Sequence, residues 1–496
     1  MSERSAARGR AAIIGGGVIG GGWAARFLLH GWDVAVFDPH PDASDRIAEI
    51  LSNARKSLPA LADAPMPAEG EIRFFGNIGD AVAGADWIQE SVTEDLALKH
   101  AVLGEIQVAA TADALIGSST SGFKPGELQQ NAADPERIIV AHPFNPVYLL
   151  PLVEIVASPE TSAELVEQAC TMLSSIGMYP LIVRNEIDAH LADRLMESVW
   201  REALWLVKDD VATTEEIDDS IRYGFGLRWA QMGLFETFRL AGGEEGMAHF
   251  IRQFGPALQW PWSRLTDVPV MDEKLVQKIA SQSDAQSGGY TLRELEGIRD
   301  RNLVGILRTL KERDWGAGQA LNAHDAFLRQ QLPVNAGADD SLPLRLLEGT
   351  VLPAWIDYNG HMTEYRYVQV FSDSCEALLR RVGMHDEYVA AGKSWYTAET
   401  HTQFFDEVGV NQPFYTTVQI MMADEKRLHV FYRMHAADDR LLATLEAMYL
   451  HVDVQSGRVV AASAGACDKL LRIAAAHAEL SPPESAGRHV GQRNQG

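Results

Sequence analysis

Two residues in the stretch AHPFNPVYLLPLVEI (141–155) could share acid–base work: His142, just after the apolar run RIIV, and Glu154, inside the apolar run PLVEIV. An unpaired carboxylate in so apolar a setting is costly. Glu154 is therefore expected to pair with His142, orienting the imidazole and raising its basicity. A neutral imidazole held in this way can remove a hydroxyl proton while the geminal hydride leaves for a nicotinamide. SSTSGF (118–123) closes another apolar run and offers Ser121 to hydrogen-bond the reacting oxygen. Far downstream, WIDYNGHMTEY (355–365) gathers Asp357, Asn359, Gly360 and His361 in one turn ahead of a helical pattern. Asp357 and Asn359 also suit plain turn formation, and His361 suits a helix cap.

These groups need elements to place them. IIGGGVIGGG carries Gly15, Gly17 and Gly20 in the G-x-G-x-x-G spacing, with Gly16, Val18 and Ile19 between them, directly after a strand pattern and into a helix pattern. The first glycine allows a tight turn, the second lets backbone approach a pyrophosphate, and the third permits close helix–strand packing. The helix N-terminus then presents N–H groups to the phosphates. Asp38 ends the next strand, VAVFDP, about 20 residues on, where a carboxylate accepts from adenosine ribose hydroxyls. The same charge repels a 2′-phosphate, so the expected cofactor is NAD rather than NADP.

The runs AAIIGG, DVAVFD, DWIQES, ALIGSS, RIIVAH and MYPLIV alternate with helical patterns, which predicts a parallel sheet wound with helices over 1–186. Helical periodicity dominates 187–330, and LPVNAGADDSLP reads as part of a linker over 331–344. Over 345–478, one helix (363–383) precedes the strand patterns SWYTAETHTQFF, FYTTVQIMMA, RLHVFYRMHA and LLATLEAMYLHVD, the signature of an α+β domain. The polar tail 479–496 is expected to be disordered. The predicted fold class is thus an α/β Rossmann domain plus an all-α domain, followed by an α+β domain. The 496 residues carry 46% hydrophobic and 22% charged side chains, and their formal charge of −25 repels nucleic acid and anionic membrane alike. Three scattered cysteines make neither a disulfide framework nor a metal cluster and suit a reducing cytoplasm. The glycine-rich, Arg26-interrupted N-terminus is a poor signal helix, and no apolar run is long enough to span a membrane.

Residues 11–320 resemble the 3-hydroxyacyl-CoA dehydrogenase family, in which a His followed by Phe-Asn-Pro precedes a Glu at this spacing. The resemblance makes His142 and Glu154 catalytic and Ser121 substrate-binding, and it places cofactor contacts at Glu94 and Lys99 of VTEDLALK. Two departures follow. The family's usual Asn-Arg is Asp193-Arg194 here, and the Lys-rich insert that holds CoA is replaced by an acidic segment, so a small free 3-hydroxy acid is expected. Five of the eleven tryptophans, Trp200, Trp205, Trp229, Trp260 and Trp262, cluster with Phe225, Phe235 and Phe238. Most serve helix packing, yet aromatic faces also hold quaternary ammonium groups. The stretch from Gly224 resembles the L-carnitine dehydrogenase branch, whose substrate is a 3-hydroxy acid bearing trimethylammonium. Trp229, Phe235 and Phe238 are candidates for that cation, and Arg194 and Arg228 for its carboxylate.

The region 345–475 resembles hotdog-fold acyl-CoA thioesterases, in which an Asp-x-x-Gly-His-type turn precedes the central helix. The resemblance implies that Asp357 activates water or attacks a thioester, that His361 positions or polarises it, and that Glu399 of YTAETHTQF is a second candidate base. The helix start would receive the carbonyl oxygen. As a whole the chain resembles the fused L-carnitine dehydrogenase/betainyl-CoA thioesterases. This implies oxidation of carnitine to 3-dehydrocarnitine, its conversion by a separate enzyme, hydrolysis of betainyl-CoA to betaine, and a homodimer. The alternatives are a dehydrogenase of L-gulonate or 3-hydroxybutyryl-CoA type, with a C-terminal module that only binds CoA or dimerises.

Overall fold

The computed structural model describes residues 9–241, 250–253, 263, 270, 272–287, 289–331, 339–352, 355–357, 359–384 and 386–488. Trp260 and Trp262 lie outside them, as does 332–338 of the expected linker. The chain forms two compact units, Met1–Leu61 with Glu69–His324, and Ala62–Ala68 with Asp325–Gly496. The predicted Rossmann and helical regions share the first unit.

In that unit eight strands, β1 (Arg10–Ile14), β2 (Asp33–Phe37), β3 (Ile72–Phe74), β4 (Trp87–Glu90), β5 (Leu115–Ser118), β6 (Ile138–Pro143), β7 (Leu152–Val156) and β8 (Tyr179–Val183), lie in the order β3-β2-β1-β4-β5-β6-β7-β8. The order reverses at β1, so the crevice for a dinucleotide opens between the ends of β1 and β4. The strands are continuous apolar runs because helices cover both faces; Ile13, Ile14, Ile88, Ile116, Ile139 and Val140 are fully buried. One pairing departs from the predicted parallel pattern: β6 and β7 are antiparallel, with His142 directly opposite Glu154. The connection Phe144–Pro151 is too short for the crossover that parallel strands require. PLVEIV therefore returns as a strand, which its apolar run allowed but the alternation of strands and helices concealed.

Helices Ala192–Lys208, Thr214–Ser220, Gly226–Ala241, Glu273–Ser287, Leu292–Glu312 and Ala317–Gln331 follow. Capping boxes at Thr213 and Thr291 fix the starts of two of them. The acidic segment that replaces the family's basic insert folds as helix Ala43–Ser57 and a short turn, and Leu292–Glu312 clasps it. Arg308 and Lys311 donate to the carbonyls of Ala60 and Leu61, and Arg293 pairs with Glu49.

The second unit is an antiparallel sheet of β9 (Leu344–Thr350), β10 (Lys393–Phe404), β11 (Pro413–Ala423), β12 (Arg427–Ala436), β13 (Leu441–Asp453) and β14 (Arg458–Val459). Its order is β10-β13-β12-β11-β9, with β14 on β13. Helix Glu364–Arg381 lays Tyr367, Val370, Phe371, Ser374, Cys375, Ala377 and Leu378 into its core, the hotdog arrangement. Residues 479–488, expected to be disordered, instead return to the sheet: Gln419 donates to the Ser481 carbonyl, and the Gly487 N–H donates to Glu446. Residues 489–496 lie outside the description. Among the described residues no helix is long and apolar enough to cross a membrane, and the three cysteines are unbridged.

Candidate active sites

The glycine loop has the shape a pyrophosphate needs. Gly15 has φ +102°, and a Cβ there would stand 2.5 Å from the Ser91 carbonyl oxygen, while one at Gly20 would overlap the Gly15 carbonyl. A Cβ at Gly17 meets nothing within 4 Å. The first and third glycines thus serve the fold, and the second faces open space. Helix Val18–Leu29 begins at Gly17 with no side-chain cap and no acid in its first turn, leaving its N–H groups to a ligand; Val18 is exposed there and Ile19 half-exposed. Asp38 closes the loop: its carboxylate accepts from the Gly16 N–H at 2.6 Å and the His40 N–H at 2.7 Å, with Arg46 at 3.8 Å. Both oxygens keep lone pairs for ribose hydroxyls. These residues fit NAD.

Beneath this edge lies a polar network that sequence patterns did not reveal. Ser119 is shared by Trp23, Gln89 and Ser91, tying the first helix to β4 and β5. Buried Glu90 accepts from Lys99 (2.9 Å) and Ser118 (2.5 Å). Lys99 is itself buried, and its remaining contacts are the Val92 carbonyl and Glu94 at 3.3 Å. All its protons are thus engaged within the protein, so Lys99 positions Glu94 rather than reaching outward. Glu94 also accepts from the Thr120 hydroxyl and the Gly122 N–H. Burial pushes its carboxyl up, but the bonds from Thr120, Lys99 and Gly122 prevail and hold it below the usual carboxylate range.

The imidazole of His142 is buried and bonds through Nδ1 to Glu154 Oε2 at 3.0 Å. The other oxygen of Glu154 accepts from the Leu191 and Ala192 N–H groups, both at 2.9 Å, at the start of helix Ala192–Lys208. Burial pushes the Glu154 carboxyl up, but the bonds from His142, Ala192 and Leu191 outweigh it and keep the group below its ordinary value. An ionised Glu154 fixes the proton on Nδ1 and leaves Nε2 as the acceptor. Nε2 lies 3.5 Å from Asp193 Oδ2, on the same helix start. Phe144 stands edge-on, its ring centroid 5.0 Å from that of His142. His190, also buried, lies 5.4 Å away and bonds to the Thr120 carbonyl. Ser121 is exposed directly after Thr120.

The other candidates are less convergent. Arg194 is exposed and donates to the Asp188 carbonyl, and Arg228 is exposed on its helix. Phe235 is 74% exposed, and Phe238 stacks on Phe250. Trp229 packs against Phe225 and, with Trp200, Leu195 and Met196, lines an apolar cavity of about 840 Å³ between the helices. Phe144 and His190, which touch the His142 ring, were not singled out because a lone aromatic and a lone His carry no pattern.

In the second unit, Asp357 Oδ1 accepts from the Asn359 N–H at 2.8 Å, and Gly360 turns the chain at φ +89°. Asp357 and His361 are also joined by a backbone bond at 3.1 Å. His361 Nε2 lies 3.3 Å from Glu407, a partner not foreseen. Helix Glu364–Arg381 starts at Thr363 without a side-chain cap. Glu399 is exposed at a bulge in β10. The turn-forming role of Asp357 is thus real, and it also fixes the carboxylate at the entrance to the central helix.

Fold and site together define an NAD-dependent dehydrogenase of 3-hydroxy acids joined to a thioesterase-like domain. Residues 10–187 match the 3-hydroxyacyl-CoA dehydrogenase NAD binding domain, 190–291 that family's C-terminal domain, and 351–471 the thioesterase-like superfamily. The chain is 55% identical to the L-carnitine dehydrogenase/betainyl-CoA thioesterase of Ruegeria pomeroyi, over 97% of this chain and 99% of that one. It is 53% identical to the protein of the same name from Rhizobium meliloti, over 98% and 99%. Among solved structures, an NAD+-dependent dismutase, 5-formyl-3-hydroxy-2-methylpyridine 4-carboxylic acid 5-dehydrogenase, is 29% identical, with a TM-score of 0.52 over 62% of this chain and 99% of its own. The chain belongs to the L-carnitine dehydrogenase/betainyl-CoA thioesterase family.

Proposed function

We propose that the chain oxidises L-carnitine to 3-dehydrocarnitine with NAD and, in its second unit, hydrolyses betainyl-CoA to betaine and CoA. NAD supplies the hydride acceptor. His142 takes the hydroxyl proton at Nε2, Glu154 holds the ring and stabilises its charge, and Ser121 hydrogen-bonds the reacting oxygen. The observation that carries this half is the buried His142–Glu154 pair, with Nε2 left as acceptor at the ligand edge of the sheet. In the second unit Asp357 acts on the thioester as base or nucleophile beside the uncapped helix start. His361 and Glu399 are the further candidates there.

The acidic segment clasped by Leu292–Glu312 favours a free acid over an acyl-CoA in the first site. A homodimer is supported by the outer edge of β10, which pairs with no further strand among the described residues and exposes Tyr396 and Phe404, and by exposed Trp200, Leu195 and Met196 on the helices. Three unbridged cysteines favour a cytoplasmic setting. The test uses the purified full chain: NADH formation from L-carnitine against L-gulonate and 3-hydroxybutyryl-CoA, and thiol release from betainyl-CoA. Asp357→Ala should abolish thiol release and spare NADH formation. Preference for L-gulonate, or thiol release unchanged in Asp357→Ala, would overturn the corresponding half.

A further inference from the structure

The catalytic imidazole carries a carboxylate on each side, and a proton-abstracting histidine needs only one. Glu154 fixes Nδ1 at 3.0 Å and spends its other oxygen on two backbone N–H groups. Asp193 stands 3.5 Å from Nε2, the atom that must face the substrate hydroxyl, and its side chain is only 14% exposed. This second charge favours the imidazolium formed on proton abstraction, and it also places a negative field beside the substrate. Burial pushes the Asp193 carboxyl up, His142 pulls it down, and Glu154 adds to the rise, so negative charge is held there at a cost. A cation brought in with the substrate would relieve it.

We infer that Asp193 is the specificity residue of the dehydrogenase: it recognises a positive charge on the carbon next to the carbinol. This rests on the proposed carnitine activity and names the group that selects for it. The distances agree. A hydroxyl accepted by Nε2 lies about 2.6–3.2 Å from it. In a 3-hydroxy-4-ammonio acid the charged nitrogen lies only about 3–4 Å from that hydroxyl oxygen, through standard bond lengths and staggered torsions. The cation can therefore sit within a few ångströms of Asp193, with the Phe144 ring as an apolar neighbour for its methyl groups. An asparagine at this position could still hydrogen-bond the alcohol but would not distinguish a cationic substrate from a neutral one of the same shape. The exposed Phe235 and the stacked Phe238 are not required for this selection.

The test separates charge from shape. L-carnitine and its carbon isostere 3-hydroxy-5,5-dimethylhexanoate, in which a tert-butyl group replaces trimethylammonium, are compared as substrates of the full chain with saturating NAD. Asp193→Asn should lower the ratio of kcat/KM for carnitine to that for the isostere by about 10- to 100-fold, the size of one ion contact at a few ångströms in a partly screened site. Any change in the basicity of His142 affects both substrates alike and cancels. A ratio unchanged within about twofold overturns the inference, whatever happens to the absolute rates. So does an equal loss with both substrates accompanied by weaker NAD binding, which would assign Asp193 to the nicotinamide charge. If the wild-type chain forms no NADH from carnitine, the proposed function itself fails, a result distinct from either.

Discussion

Replacing Glu154 by Gln keeps the shape of the side chain and removes one charge, and the hydrogen bonds around it set the outcome. The amide oxygen can go on accepting from Leu191 and Ala192, both at 2.9 Å. The NH₂ group then faces His142 Nδ1 and can only donate to it. That forces the ring proton to Nε2, the atom that must accept the substrate proton. One charged hydrogen bond to the developing imidazolium contributes about 1.5–3 kcal/mol, roughly 10- to 10²-fold in rate. The reversed tautomer adds to this, so kcat should fall by about 10²–10⁴-fold, the upper end being the size of loss when a triad histidine loses its carboxylate partner. NADH formation from L-carnitine measures the rate, and NAD binding, followed by calorimetry, should stay within twofold because the glycine loop is untouched.

The same variant has a stability signature. Glu154 is held below its ordinary carboxyl value of 4.5. Its charge therefore contributes stability that is present above that value and is lost as pH falls through the folded-state pKa. The gap in Tm between wild type and Glu154→Gln should narrow on acidification. A kcat within tenfold of wild type, or a gap that widens in acid, would refute this reading of the pair.

The glycine loop gives a paired contrast. Gly17→Ala should fold with unchanged Tm yet weaken NAD binding at least tenfold, because its Cβ enters the space left for phosphate. Gly20→Ala, which drives a Cβ onto the Gly15 carbonyl, should cost about 1–3 kcal/mol of stability in denaturant titration. Asp38→Ser should lower kcat/KM with NAD by about 10- to 10²-fold, by loss of charged hydrogen bonds. It should also raise NADP use, since Arg46 at 3.8 Å loses its carboxylate partner; parallel assays with the two cofactors check this. Lys99→Met leaves the fully buried Glu90 without its counter-charge and should destabilise the chain by about 3–5 kcal/mol, read as a fall in Tm.

The parts of this protein that sequence made legible are those with a local signature. Glycine spacing, the acid at the end of β2, and the alternation of apolar runs all follow from backbone geometry over a few residues. His142 and Glu154 were legible as a pair because a charge in an apolar run demands a partner. Their direct opposition was not, since it depends on β7 running antiparallel to β6. The network through Ser119, Glu90 and Lys99 joins three separate segments, and each member looks ordinary in its own stretch. The family resemblance made Lys99 a cofactor contact, yet two glutamates draw it into the interior. The aromatic residues of the helical region carry no local signature that separates packing from binding. Their composition suits a cation, while Trp229, Phe235 and Phe238 lie on helix surfaces and in an interhelical cavity, and the ring beside His142 is Phe144.

The most direct test of the dehydrogenase chemistry is a single turnover of His142→Gln with NAD and L-carnitine, with NAD binding measured on the same sample. Unaltered NAD affinity with NADH formation slowed by at least about 10²-fold is the expected result for loss of the general base. Wild-type-like turnover in that variant would mean that the proton leaves by another route, and the role given to His142 would be wrong.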